Sequence, residues 1–193
     1  MSPVVFNILD LIDLGGSDVI EHKLATFSSP KNPEIEDFIH NKAINFATGK
    51  LSITYLVNDD DTGNILGYFT LTHKSIIING DNLSATSRKK LARYSPRMDA
   101  STGNYMASSF LLAQFGKNYA LDEADRIDGA DLMKLATDVL VNIQRQIGGG
   151  IVYLDCEDKP QLTSFYKGQN FKEFDDRFSP EDNQKYVQFM RFF

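Results

Sequence analysis

Apolar positions recur along this chain with a period near two in some stretches and near 3.6 in others, and each rhythm predicts an element. The opening run Val4-Val5-Phe6-Asn7-Ile8-Leu9 is apolar and β-branched, which predicts a short strand. Ser17 is placed as the N-cap of a first helix over residues 17–27. A stronger helix is predicted from Pro33 to Ala47. Asn32 is a good N-cap, and Pro33 takes the first helical position, where a missing N–H is harmless. Glu34, Glu36 and Asp37 put negative charge where the helix dipole favours it. Ile35, Phe38, Ile39 and Phe46 keep helical spacing with one polar interruption at Lys42, and Gly49 stops the run.

Alternation then takes over. Leu51, Ile53, Tyr55 and Val57 alternate with smaller or polar residues, residues 58–64 are rich in Asn, Asp and Gly, and Ile65 to Leu71 is apolar again. Two such runs around a turn cluster predict an antiparallel hairpin, with residues 74–79 extending or following it. Residues 80–105 form a polar, basic excursion broken by Pro96 and Gly103, with room for a short helix. Residues 109–115 read as a buried strand. Leu132, Leu135, Ala136, Val139, Leu140, Ile143 and Ile147 make one helical stripe, ended by Gly148-Gly149-Gly150. A strand at 151–155, a short helix at 161–167 and strands at 171–174 and 186–192 complete the chain. The order predicts one α/β domain over residues 1–193, a mixed sheet of six to seven strands flanked by helices.

Composition narrows the class. With 193 residues and no Pro/Gly/Ser-rich linker, one domain is expected. The single cysteine excludes an internal disulfide framework. No run approaches the ~18 apolar residues of a membrane span. No Lys or Arg precedes Lys23, so a secretory n-region is missing and a cytoplasmic location is expected. A formal net charge of −6 argues against nucleic acid as a partner. Locally the balance reverses: Arg88, Lys89, Lys90, Arg93 and Arg97 crowd one window. That window is either a solvated helix face or a docking patch for an acidic partner.

Several chemistries find no support. His22, His40 and His73 lie far apart, with no metal-site or catalytic-pair spacing. Cys156 has no Cys or His near it and reads as a structural thiol. No nucleophile elbow, Gly-Lys-Ser/Thr phosphate loop or dinucleotide fingerprint is present. One stretch invites a ligand. In Ala124-Asp-Arg-Ile-Asp-Gly-Ala-Asp-Leu-Met133, Gly129 opens a helix three residues after Arg126. Unsatisfied N–H groups at a helix start form an anion site, and Arg126 can add charge. Asp128 and Asp131 stand where a phosphate would arrive. Alone, the stretch reads equally as a helix start whose glycine makes a turn.

Downstream, a strand leads into Lys159-Pro-Gln-Leu162-Thr-Ser-Phe165-Tyr166-Lys-Gly-Gln-Asn170-Phe171. This resembles the GNAT acetyltransferases, in which a strand precedes Asn-x-x-Ala-x-x-Phe-Tyr-x-x-x-Gly-Phe. Phe165, Tyr166 and Phe171 match; Lys159, Leu162 and Asn170 replace Asn, Ala and Gly. The family's phosphate loop, Gln/Arg-x-x-Gly-x-Gly/Ala, corresponds to Arg126-Ile-Asp-Gly129-Ala-Asp131, with its third anchor changed. The resemblance covers residues 51–192 in element order and is similar to the branch that includes toxin acetyltransferases.

The resemblance implies an acyl-CoA N-acyltransferase fold and acetyl-CoA as cosubstrate. The amine of a small molecule or peptide would attack the thioester carbonyl, backbone N–H groups would hold the developing oxyanion, and a general acid would protonate the departing thiolate. By resemblance Tyr166 is that acid. Arg126, Ile127, Asp128, Gly129, Ala130 and Asp131 would hold the pyrophosphate. The backbone of Leu112, Ala113, Gln114 and Phe115 would pair with the pantetheine arm. Asp155 and Glu157, with Asp158 beside them, would bind a cationic acceptor. No metal is implied, and a homodimer is compatible with the family. Two alternatives stay open: a degenerate domain that only binds a partner, and a tRNA-directed acetyltransferase toxin.

Overall fold

The computed structural model describes residues 2–95, 97–180 and 183–193, so Pro96 lies outside the described residues. Its strands are β1 (Pro3–Asn7), β2 (Ile53–Asp59), β3 (Ile65–Asn79), β4 (Asn104–Lys117), β5 (Ile151–Glu157), β6 (Lys172–Ser179) and β7 (Gln184–Phe192). They hydrogen-bond in the order β1-β2-β3-β4-β5-β7-β6. The helices are α1 (Ile8–Gly15), α2 (Ser17–Leu24), α3 (Pro33–Asn41), α4 (Ala43–Thr48), α5 (Ala85–Leu91), α6 (Gly129–Ile147) and α7 (Pro160–Gly168). The mixed α/β sheet is as expected. β4 and β5 run parallel, whereas β1/β2, β2/β3, β5/β7 and β6/β7 are antiparallel.

Several boundaries differ from the sequence expectation, each for a local reason. Ile8 and Leu9 belong to a helix, because the Asn7 side chain accepts the Leu9 N–H at 2.9 Å and starts α1. Ser17 is not a cap: Gly16, at φ 80°, precedes α2 and Ser17 is its first residue. The helix begun at Pro33 breaks at Lys42, whose φ of −125° separates α3 from α4. Asn32 does cap α3, accepting the Ile35 N–H. The basic excursion keeps its expected extent, but the strand after it starts at Asn104 and not at Ser109. β3 runs on to Asn79, β4 begins at Asn104, and the Gly80 N–H donates to the Gly103 carbonyl at 3.0 Å.

Contacts group the chain into two compact units. The first holds residues 1–72 and Leu112–Leu140. Its core joins Ile8, Leu24, Phe27, Ile39, Leu56 and Tyr68, all essentially excluded from solvent. The Tyr68 hydroxyl donates to the Ile35 carbonyl at 2.6 Å, which satisfies a phenol that burial would otherwise strand. Gly116 lets Ile35 approach, since a Cβ there would lie 2.5 Å from Ile35 Cγ2. The second unit holds His73–Leu111 and Val141–Phe193. Ile78, Leu91, Tyr105, Ile151, Tyr153 and Met190 form its core. Gly148 and Gly149 end α6 at φ 79° and 98°, conformations that favour glycine. No helix among the described residues is long and apolar enough to cross a membrane.

Candidate functional site

The candidate cofactor segment starts on β4, of which Leu112 onward belongs to the first unit. The parallel ladder with β5 comprises Phe110↔Val152 and Leu111↔Tyr153, while β4 itself continues to Lys117. Of the proposed pantetheine strand, Leu112 is buried, Gln114 and Phe115 are half-buried and Ala113 is exposed. The turn that follows depends on a residue the sequence reading missed. Asn118 is buried; its amide donates to the Ile65 carbonyl at 2.8 Å, and its Oδ1 accepts the Ser28 and Ala120 N–H groups. An Asn directly after an apolar strand is the available signal, since its side chain mimics a backbone turn.

Arg126 is engaged by its own loop. Its Nε donates to the Leu121 carbonyl at 2.8 Å, its Nη2 donates to the Tyr119 carbonyl at 3.1 Å, and its guanidinium lies over the Tyr119 ring. The charge ties the 119–126 loop together. Ile127 is 2% exposed and pins the loop to the core. Asp128 caps α6: its carboxylate accepts the Ala130 N–H at 3.1 Å, and its carbonyl accepts the Leu132 N–H at 3.0 Å. One of the amides expected to meet a phosphate is therefore already paired with an anion from the chain itself. Asp131 is exposed on the first turn. A nearby pocket of about 110 Å³, lined by Asp59, Thr62, Asn64, Leu66, Leu121 and Asp125, carries carboxylates and has the wrong sign for a phosphate.

In the second unit, Tyr166 sits on α7 in an aromatic nest with Phe165 and Phe171 edge-on at 5.2 and 5.9 Å and Phe189 at 6.1 Å. Burial pushes its phenol well above the usual tyrosine range, and the neighbouring Cys156 adds to the shift. Asn170 takes φ 64°, so the replacement of the family's glycine is accommodated. Cys156 is a buried thiol, pushed up to about 12 by burial first and by Asp155, Asp158, Glu157 and Glu173 next. At about pH 8 it is therefore protonated, and alkylation in the native protein should be far slower than after unfolding. Mass spectrometry of iodoacetamide-treated samples checks this; equal rates in both states would contradict it.

Two of the three carboxylates at the strand end already have counter-ions. Asp155 accepts the Arg177 Nε at 2.6 Å and the Gln188 amide at 2.9 Å, and Glu157 pairs with Lys159. Asp158 is exposed. Of the three histidines, His22 donates from Nδ1 to the Asp18 carbonyl at 2.7 Å, the half-buried His40 donates from Nε2 to the Phe27 carbonyl at 2.9 Å, and His73 meets the Ser108 hydroxyl at 2.8 Å. Among the described residues no group of three or more His, Cys, Asp or Glu side chains could hold a metal ion.

No family model matches the sequence, and no curated protein matches it. Solved structures do. AtaT complexed with acetyl-methionyl-tRNAfMet is 16% identical, covers 96% of this chain over 94% of its own, and superposes with a TM-score of 0.64. A tyrosine-to-phenylalanine mutant of KacT is 15% identical, with coverage of 97% and 94% and a TM-score of 0.66. An acetyltransferase assigned to the GNAT family from Desulfovibrio desulfuricans is 10% identical, with coverage of 99% of both chains and a TM-score of 0.54. A tyrosine-to-phenylalanine mutant of the AtaT toxin has also been solved bound to the C-terminus of the antitoxin AtaR and acetyl-CoA. At these identities the likeness establishes the fold, which is that of the GNAT acetyltransferases.

Proposed function

We propose that the chain is an acetyl-CoA-dependent N-acetyltransferase, acting as one domain over residues 1–193 and transferring an acetyl group to a primary amine by direct attack. The observation that carries this reading is the β4–loop–α6 unit. A strand runs on past its parallel ladder and feeds, through a loop fixed by Asn118, Arg126 and Ile127, into the N-terminus of a 19-residue helix. Aligned peptide dipoles make that terminus positive, which suits a pyrophosphate.

The residues present fit acetyl-CoA, with one obstacle. Amides of residues 127–131 would receive the pyrophosphate, but Asp128 must release the Ala130 N–H first. The thioester brought by acetyl-CoA is the activated group. The chain's own part is to hold the cofactor, to orient the amine and to keep a proton on Tyr166, whose buried phenol supports a role as donor to the leaving thiolate. An acceptor cation would have to displace Arg177 or Lys159 to reach Asp155 or Glu157.

Asp128→Asn keeps a good cap and removes the competing charge, so acetyl-CoA affinity should rise roughly two- to fivefold. Titration calorimetry measures it; unchanged affinity would locate the pyrophosphate elsewhere. Calorimetry on the wild type tests the reading itself. The absence of any acetyl-CoA binding at high micromolar ligand would leave a degenerate partner-binding domain, the reading that Asp128 favours. The acceptor class extends to amines carried on RNA, because AtaT is solved with an acetylated methionyl-tRNA. Overall charge does not decide against this, since the basic residues of the chain are unevenly placed.

A further inference from the structure

Arg88, Lys89, Lys90, Arg93 and Arg97 fall in a window without a single carboxylate, in a chain whose net charge is −6. Elsewhere several cations have acidic partners: Lys42 with Asp37, Lys134 with Asp138, Lys167 with Glu173 and Lys185 with Asp176. Among the described residues, none of the five in the window has an acidic partner. Arg88 reaches only the Leu83 carbonyl, at 3.4 Å, and Lys90 lies over the Phe192 ring.

The cluster is held rigidly. Ser84 caps α5 by accepting the Ser87 N–H at 3.2 Å, and Leu91 and Ser87, one turn apart, are buried. Helical spacing then turns Lys89, Lys90 and Arg93 to the opposite, exposed half, where like charges three and four residues apart repel. Tyr94, stacked on Phe192 and packed against Gly150, fixes the chain just beyond the helix. Such an array creates a local positive potential that attracts polyanions.

We infer that the exposed face of α5 and the segment after it, Lys89, Lys90, Arg93 and Arg97 above all, is a docking surface for the phosphate backbone of RNA. An acidic peptide is the other polyanion to consider, but peptide affinity rests on apolar anchors filling pockets between the charges. Here the apolar side of α5 is turned inward and the cations themselves face solvent. Phosphates need only a fixed array of positive groups. The inference rests on the acetyltransferase reading for its purpose, in that it makes an RNA the carrier of the acceptor amine, but RNA binding is measured without acetyl transfer.

The test is fluorescence anisotropy of the full chain with a labelled hairpin RNA, titrated at several salt concentrations. Log affinity should fall linearly with log salt, losing roughly two to three powers of ten over the range of about 50 to 200 mM if the whole array engages. In the Lys89→Gln, Lys90→Gln, Arg93→Gln triple variant the slope should shrink by roughly two to three. Lys134→Gln on α6 should leave it unchanged. Circular dichroism confirms folding, which these exposed positions do not threaten. The inference is overturned if the wild type binds no RNA at low salt, if the triple variant binds as the wild type does, or if a labelled poly-glutamate peptide binds more tightly than RNA. Loss of acetyl-CoA binding in calorimetry, with RNA binding intact, would remove the acetyltransferase reading and leave the surface standing.

Discussion

Replacing Tyr166 with Phe should lower acetyl-transfer turnover by about 10²- to 10⁴-fold, the usual worth of a positioned general acid, with acetyl-CoA affinity unchanged. The ring stays, so its contacts with Phe165, Phe171 and Phe189 stay too, and thermal stability should move little. Only the hydroxyl is lost. Because burial raises the phenol, Tyr166 remains protonated throughout the working range. The acid limb of the rate profile should therefore belong to the acceptor amine, which must shed its own proton. Turnover of the variant equal to wild type, with matched stability, would assign Tyr166 to packing alone. A parallel loss of turnover and cofactor affinity would assign it to binding.

Phe27→Ala should be among the most damaging changes to the first unit, destabilising it by about 3–5 kcal/mol. The ring is 2% exposed and meets the Tyr68 ring edge-on at 5.2 Å. Its backbone carbonyl is engaged by His40, which limits how far the segment can move to close the hole. Tyr68 also stacks on Phe38 and is anchored to Ile35, so its position is set from three sides. A cavity beside a side chain that cannot follow stays open. For a chain of this size the melting temperature should fall by roughly 6–20 °C. A drop of only a degree or two by calorimetry would mean the neighbours do collapse.

Much of this architecture was legible in the sequence, and the misses have physical causes. The Asn32-Pro33 cap, the glycine stop after the long stripe and the alternating hairpin all come from local rules, and the structure keeps each of them. The break at Lys42 was visible as the polar interruption, but a lone lysine in an apolar period does not distinguish a kink from a surface position. At Ile8 and Leu9 two local signals conflicted, apolar β-branching against an Asn cap, and the cap prevailed. At the candidate site Arg126 makes contacts that motif spacing does not foresee. Motif spacing put it near an anion, whereas carbonyls of Tyr119 and Leu121, exposed by the loop's turn, claim its donors. Spacing along a chain cannot register acceptors that appear only once a loop has folded. The Phe165-Tyr166 and Phe171 signature fared better, because its members touch one another directly on and after one helix.

The pairing of Asp155 with Arg177 and of Glu157 with Lys159 also bears on kinetics. A bare acidic mouth would draw small dications by long-range attraction, with capture that weakens as salt is added. Here Asp155 and Glu157 each carry their own counter-ion, so beyond the strand end their field is that of dipoles and decays within a short distance, and only the exposed Asp158 adds a bare charge. Encounter with a small polyamine at that end should therefore be only weakly assisted and depend only weakly on ionic strength. Selection among amines would then depend chiefly on fit after arrival, since arrival itself is little biased toward the most highly charged candidate.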